Sequence, residues 1–359
     1  MTRIVAVHGV LPEHRYEQSE ITEAFAAMCL PPGSDRGVLE RLHSTATVRT
    51  RHLALPLERY ASLSGFGEAN DAFIGVGSRL GEQAVKGALR QAGLCAQDID
   101  MVISTSVTGI AAPSLEARLA GRLGLRPDVK RVPIFGLGCV AGAAGIARLH
   151  DYLHGRPDQV ALLLSVELCS LTLQRADVSA QNLVAGALFG DGAAALLAVG
   201  RDRDRHADGN GQGQPAPTVV ATRSHLYPGT ERMLGWDIGD NGFRIVLGAD
   251  LPDLVRRQLG DDVRCFLDDH DLKTQDVTAW VCHPGGPKVL DAVRDTLDLP
   301  SRALELTWRS LAEVGNLSSA SVLHVLRDTL ALRPPLPGTA GLLLAMGPGF
   351  CTELVLLRW

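Results

Sequence analysis

Twice along this chain an apolar run reaches a glycine, a single thiol or amide residue follows, and the sequence continues as a helix that begins with very small residues. In "FGLGCVAGAAGIARLHDYL" (135–153) the pair is Gly138-Cys139, and in "GNLSSASVLHVLRDTLAL" (315–332) it is Gly315-Asn316. Ala, Gly and Ser in the opening turns let another backbone approach closely, and apolar residues all round a helix require burial on every side. Two such helices need sheets on both faces. Around them strand-like and helical runs alternate, the pattern of an α/β protein. "RIVAVHGV", "MVISTSVTG" (101–109), "VPIFGLG" (132–138) and "VALLLSVELC" (160–169) read as strands, and "GSRLGEQAVKGALRQAGL" (77–94) reads as a helix. "LFGDGAAALLAV" reads as two apolar strands about a Gly-Asp-Gly turn. The second half repeats the order: "DLVRRQLGDDVRCFLDDHDL" as helix, "VTAWVCHPGG" as strand and turn, and "GLLLAMGPGFCTELVLLRW" as paired strands. The expectation is an α/β, five-layer αβαβα molecule of two similar halves, 1–200 and 217–359. The charged, Gly-rich "GRDRDRHADGNGQGQPAPT" (200–218) is its seam and reads as a mobile surface loop.

Composition narrows the classes of function. The 359 residues are 46% hydrophobic and 21% charged with a formal net charge of −5, a balance that suits about two domain lengths with a sizeable core. No long basic run occurs, so neither a nucleic-acid footprint nor an anionic-membrane patch is indicated. "MTRIVAVHGVLPEH" carries too short an apolar run for a signal peptide. The nearest approach to a membrane span, "LVAGALFGDGAAALLAVG" (183–200), is broken by Asp191 and its glycines, as in a strand-turn-strand. Seven scattered cysteines with no CxxC pair fit neither a disulfide framework nor a zinc site. The chain therefore reads as a reduced, cytoplasmic protein with small-molecule partners, no metal and no membrane span.

Three residues could carry chemistry. At the start of a helix, Cys139 meets unpaired amides and the positive end of the helix dipole, which favour a reactive thiolate; equally, a buried cysteine behaves as a small hydrophobe. His283 in "AWVCHPGGPKVLDAV" ends a strand ahead of a Pro-Gly-Gly turn, a place from which a side chain can project into a cleft, although a structural histidine fits there too. Asn316 is most simply an N-cap. Taken together, a Cys, a His and an Asn at element ends in two halves match the way catalytic groups converge.

"GCVAG", "LFGDGAAA", "HPGGP", "GNLSSAS" and "GPG" occur in the order and approximate spacing of the type III polyketide synthases. The chain thus resembles the chalcone-synthase-like branch of the thiolase superfamily over nearly its whole length. Its pattern is most similar to the bacterial alkylpyrone and alkylresorcinol synthases. The resemblance implies a thiolase-like fold and a homodimer, with coenzyme A thioesters as substrates and no other cofactor. It implies iterative decarboxylative condensation of malonyl-CoA onto a medium- or long-chain fatty acyl-CoA, then closure to an alkylpyrone or alkylresorcinol. Cys139 would carry the acyl chain, His283 and Asn316 would donate to the malonyl thioester oxygen, and a close Cys139–His283 pair would keep the thiolate formed. Phe189 and Phe243 match gatekeepers, Thr108, Ala112, Cys169 and Thr172 match the cavity wall, and Arg51, with Arg49 beside it, falls in the region that meets coenzyme A phosphates. Glu167 and Ser318 match two members of a hydroxyl–Glu–Ser network that guides ring closure, with Val107 in the third place and Thr108 adjacent. Two alternatives stand beside this reading: a ketoacyl carrier-protein synthase III making one condensation, and a non-catalytic scaffold of the same fold.

Overall fold

The computed structural model describes residues 2–204 and 216–359, so most of the expected seam, 205–215, lies outside the described residues. The strands are β1 (Thr2–Val10), β2 (His14–Glu17), β3 (Thr50–Leu53), β4 (Met101–Thr105), β5 (Lys130–Ile134), β6 (Val160–Leu168) and β7 (Asp191–Gly200). They continue with β8 (Thr218–Leu226), β9 (Leu234–Gly239), β10 (Gly242–Leu247), β11 (Val277–Cys282), β12 (Ala340–Gly347) and β13 (Cys351–Arg358). Nine of them run in the order β11-β12-β13-β8-β1-β7-β6-β4-β5. The joint between β1 and β8 is only Thr2 against Val219 and Arg3 against Thr218, which divides the strands into two leaves. Each leaf repeats one pairing pattern. β4 is parallel to β6, which is antiparallel to β7, which is antiparallel to β1; likewise β11 is parallel to β12, then β13 and β8 follow antiparallel.

Between the leaves lie the two small-residue helices, Ala141–Gly155 and Ser321–Leu332. Ile146, Leu149 and Leu153 of the first and Val322, Val325 and Leu326 of the second share one core with strand residues from both leaves, such as Ile103, Leu163, Val281 and Leu343. Each fully buried aliphatic side chain there contributes about 1.5–3 kcal/mol relative to exposure. The contact is close enough to explain the composition. A Cβ on Gly142 would lie 2.3 Å from the Ser319 carbonyl oxygen, and one on Gly145 would lie 2.4 Å from Leu163 Cδ1. The helix Phe66–Ala92 covers the outside of the first leaf, and Leu251–Asp268 with Pro287–Thr296 covers the second. The result is the αβαβα stack of a thiolase-like fold.

One stretch differs from its sequence reading. Residues 183–200 are not strand-turn-strand: Ala180–Leu188 is a helix, and β7 begins at Asp191. Ser179 starts that helix, its hydroxyl oxygen accepting from the Asn182 N–H at 3.3 Å, as N-cap residues do. Asp191 is no turn residue but a fully buried acceptor, taking the N–H groups of Ala54 (2.6 Å) and Ser170 (2.8 Å). Among the described residues no helix is long and apolar enough to cross a membrane.

Candidate active site

Cys139 sits in a short 3₁₀ turn, Gly138–Val140, that runs directly into the helix Ala141–Gly155. Gly138 has φ +54°, and a Cβ there would lie 2.9 Å from the Pro348 ring; both the backbone conformation and the space select glycine. At Gly347, the end of β12, a Cβ would lie 2.7 Å from the Val140 nitrogen, so the Gly-Pro-Gly loop is seated on the cysteine turn. The thiol is 7% exposed and contacts Ser318 Oγ at 3.7 Å.

Ser318 is itself held in the left-handed region, at φ +48°, a conformation uncommon for a non-glycine residue and sustained by its surroundings. Here the surrounding group is Asn316, whose Oδ1 accepts the Ser318 N–H at 2.8 Å. The Asn316 backbone is fixed on both sides, its N–H donating to the Leu188 carbonyl (2.8 Å) and its carbonyl accepting from Gly190 (3.0 Å). With Oδ1 committed, the amide NH₂ is the end left to donate, and Asn316 is among the groups that lower the Cys139 pKa. Asn316 is thus more than a cap: it orders the Ser318 turn and presents a donor to the thiol.

His283 follows β11, with its N–H on the Leu344 carbonyl at 2.9 Å. That places it at the same end of the second leaf as the Gly347–Pro348 loop on the cysteine turn. It is 3% exposed, and neither ring nitrogen has a hydrogen-bond partner. Buried polar groups are normally paired, so an imidazole with both nitrogens unused is one held for something that arrives. Neither ring nitrogen hydrogen-bonds the Cys139 sulfur. Burial pushes the His283 pKa down to about 3. Burial also pushes the Cys139 thiol up to about 12, against hydrogen bonds from Ser318 and Asn316 that pull it down. Desolvation disfavours charge on either side chain, so both shifts favour the neutral thiol and the neutral imidazole.

Behind the thiol lies a buried carboxyl. Glu167 is 0% exposed; its Oε2 accepts from Thr108 Oγ1 (2.9 Å) and the Val107 N–H (3.1 Å), and its Oε1 accepts from Ser319 Oγ (2.5 Å). Burial raises its pKa despite those bonds. The hydroxyl that the sequence comparison placed at Val107 is therefore supplied by Thr108, which also accepts the Leu168 N–H at 2.9 Å. Ser319 makes the short hydrogen bond to the carboxylate, and Ser318, which faces the sulfur, also lowers the Glu167 pKa from its side of the turn. Ser319 was missed from sequence, although the doubled serine of "NLSSAS" puts a hydroxyl on each side of the turn.

The remaining candidates separate. Cys169, Thr172 and Phe189 line one pocket, together with Phe25, Leu53, Leu57 and Trp236. Phe243 is 2% exposed and does not reach that wall. It is the centre of an aromatic cluster, its ring centroid 5.4 Å from Phe66, 6.0 Å from Trp236 and 6.2 Å from Phe135. Ala112 is not on the cavity wall of its own chain; the loop between β4 and the helix Leu115–Leu123 carries it on the surface. Arg51 is buried rather than on the surface, and it lines the same pocket as Cys169 with its Nη2 unpartnered. It is 3% exposed, with Nε on Gln18 Oε1 (3.1 Å) and Nη1 on the Phe189 carbonyl (2.8 Å). Burial lowers its pKa to about 10, and Asp191 opposes that shift. Its work is to hold the Phe189 backbone. Arg49 is exposed and lies 4.0 Å from Glu313.

A buried thiol at the head of a helix between two leaves of repeated pairing is the architecture of the thiolase-like condensing enzymes, acyltransferases that carry the growing chain on sulfur. Comparison with known proteins makes the class narrower. The model for chalcone and stilbene synthases, N-terminal domain, matches residues 1–203, and that for the C-terminal domain matches residues 218–359. The chain belongs to this family, the type III polyketide synthases, and not to the ketoacyl carrier-protein synthases that share its fold. It is 63% identical over 358 residues to a 1,3,6,8-tetrahydroxynaphthalene synthase of Streptomyces peucetius subsp. caesius, covering 100% of this chain and 93% of that one. It is 35% identical to a putative chalcone synthase of Bacillus subtilis (strain 168), covering 100% and 99%. The crystal structure of 1,3,6,8-tetrahydroxynaphthalene synthase from Streptomyces coelicolor A3(2) superposes with a TM-score of 0.91 at 30% identity, covering 99% of each chain.

Proposed function

We propose that this chain condenses malonyl-CoA alone, as starter and as extender, and closes the product to a polyhydroxylated aromatic of the tetrahydroxynaphthalene type. The 63% identity along the full chain to a synthase of that name carries the reading. Tetrahydroxynaphthalene is a bare ten-carbon ring pair, which corresponds to five malonyl units less five carbon dioxides and leaves no place for a fatty acyl starter.

The residues suit the chemistry. Cys139 Sγ attacks a thioester carbonyl, its proton leaving with the departing coenzyme A thiol, so that an acyl-enzyme forms and one hard step becomes two easier ones. Loss of carbon dioxide from the next malonyl thioester leaves an enolate. The Asn316 amide and the unpartnered His283 ring are donors for its oxygen, and prearranged donors in a dry site stabilise such charge more than water does. The enolate carbon then attacks the acyl thioester and releases the sulfur.

A second reading, a fatty acyl starter with closure to an alkylpyrone or alkylresorcinol, is favoured by one observation, the largely apolar pocket beside Cys169 and Thr172. Both readings are tested by one experiment. Purified protein is incubated with malonyl-CoA alone and with malonyl-CoA plus acyl-CoA of two to sixteen carbons, and products are resolved by mass spectrometry. An unalkylated aromatic from malonyl-CoA alone supports the first reading. Products that form only with an acyl-CoA, each carrying its alkyl tail, replace it with the second. We also propose a homodimer formed at the edge strand β5, where Val132, Phe135 and nearby Ile110 are 40%, 51% and 45% exposed. A cytoplasmic location goes with this reading.

A further inference from the structure

The pocket beside Cys169 has one wall that belongs to neither leaf. β9 and β10 pair only with each other, from Leu234 opposite Leu247 to Gly239 opposite Gly242. Trp236 and Ile245, opposite one another in that ladder, both line the pocket. A lone two-stranded hairpin is marginal in water, and this one turns its other face to solvent, where the exposed Arg244 side chain pairs with Asp237 at 3.3 Å. Its base is closed within the second half by the Gly248 N–H on the Met233 carbonyl at 2.8 Å. Its turn is fastened to the first half by one side chain: Gln174 Nε2 donates to the carbonyls of Asn241 (3.1 Å) and Phe243 (3.0 Å).

Gln174 is itself rigidly set. Asn182 Nδ2 donates to the carbonyls of Gln174 (2.9 Å) and Asp177 (2.6 Å), and the guanidinium of Arg175 donates to those of Ala61 and Leu63. The segment 172–177 thereby ties together three walls of the pocket: its own Thr172 and Leu173, the segment that begins with Leu57, and the helix Ala180–Leu188 that carries Asn182 and Ala185. Only the hairpin is held by hydrogen bonds from a single amide, and those bonds orient Phe243, the centre of the aromatic cluster behind Trp236.

We propose that Gln174 is a positioning residue that latches the β9–β10 hairpin over the pocket and so sets how long a chain the closed site retains before release. The second part rests on the reading of this pocket as space for the growing chain; the latch itself does not. With the amide in place, Trp236 and Ile245 stay against the pocket and a growing intermediate is kept from water. With the amide lost, the hairpin turn opens and short intermediates escape as lactones.

Two readouts on the full-length protein test this. Gln174→Glu keeps the shape and removes both donors, Gln174→Ala removes the group, and Gln174→Lys restores a donor on a chain of similar length. In native-state trypsin digestion, the Glu and Ala variants should be cut at Arg244 at least five-fold faster than the parent, with Lys intermediate and the rest of the chain equally resistant. In turnover, the same two variants should raise the share of early-released short products several-fold and raise the KM for malonyl-CoA, while loading of Cys139, read as the mass of the acyl-enzyme, is unchanged. Unaltered cleavage at Arg244 in both variants overturns the latch, as does cleavage spread over the whole chain. Faster cleavage with an unaltered product spectrum overturns the link to chain length. If the parent forms no product from any thioester, the proposed function fails while the digestion still decides the latch.

Discussion

Substituting Gly142 by alanine sets two opposing effects against each other in a place where their sizes can be compared. Gly142 lies in the first turn of the helix Ala141–Gly155, and in a helix interior alanine is favoured over glycine by about 0.8–1 kcal/mol. Against that, the new Cβ would stand 2.3 Å from the Ser319 carbonyl oxygen and 2.7 Å from Val322 Cγ1. A carbon-to-oxygen contact wants at least about 3.3 Å, so the turn holding Ser319 must retreat by about 1 Å, and a backbone oxygen cannot rotate away as a side chain can. Overpacking of this kind costs about 1–3 kcal/mol, so the overlap outweighs the propensity. The displaced turn is the one that carries Ser318 against the Cys139 sulfur and follows Asn316. A 1 Å misplacement of catalytic groups costs on the order of a hundredfold in rate. Gly142→Ala should therefore lower the urea midpoint and reduce kcat by one to two orders of magnitude. Gly75→Ala, in the helix Phe66–Ala92 with nothing within 4 Å of its new Cβ, should leave kcat unchanged and raise stability slightly. Parental midpoint and turnover in Gly142→Ala would refute the claim that glycine is there to let the two central helices touch.

Two other outcomes follow from buried polar groups. Thr108→Val deletes the hydroxyl between Glu167 Oε2 and the Leu168 N–H. Leaving such partners unsatisfied costs about 1–3 kcal/mol, and the ratio of ring-closed aromatic to lactone should fall several-fold; an unchanged ratio removes Thr108 from ring closure. His324 is 1% exposed with Nε2 on the Ala193 carbonyl at 3.1 Å, and burial, with Arg327, His8 and His52 facing it, lowers its pKa from 6.5 to about 3. A lowered histidine binds its proton in the unfolded chain first, so its stabilisation is complete above pH 6.5 and is lost as the pH falls towards 3. His324→Gln should flatten the fall of the unfolding free energy from urea titrations between pH 6.5 and 4 by up to about 1.4 kcal/mol per pH unit, and an unchanged slope would show that the imidazole is not what acid attacks.

Much of the architecture is legible in local chemistry. The Ala-Gly-Ala-Ala-Gly start of one helix and the Ser-Ser-Ala-Ser start of the other state that something comes close, and Gly142 on Ser319 is that contact. Where local reading failed, an overlooked cap or a distant partner had decided. Residues 183–188 are apolar enough for a strand, but Ser179 caps them as a helix. Asp191, between two glycines, looks like a turn until Ala54 and Ser170 are found donating to it.

By itself the sequence determined the α/β alternation, the two central helices and the family motifs, and singled out Cys139 as the candidate thiol, because each depends on spacing within a few residues or on whole motifs in order. Only the tertiary structure decided that the Thr108 hydroxyl joins the Val107 N–H on Glu167, that Arg51 is buried with a bond to the Phe189 carbonyl, and that Ala112 faces outward. It also decided that Cys139 and His283 are buried deeply enough for desolvation to oppose charge on both. These are questions of which groups meet across long separations in the chain, 59 residues for Thr108 and Glu167 and 138 for Arg51 and Phe189, and of how much water is left beside them, and desolvation belongs to the packed molecule, not to any stretch of its sequence.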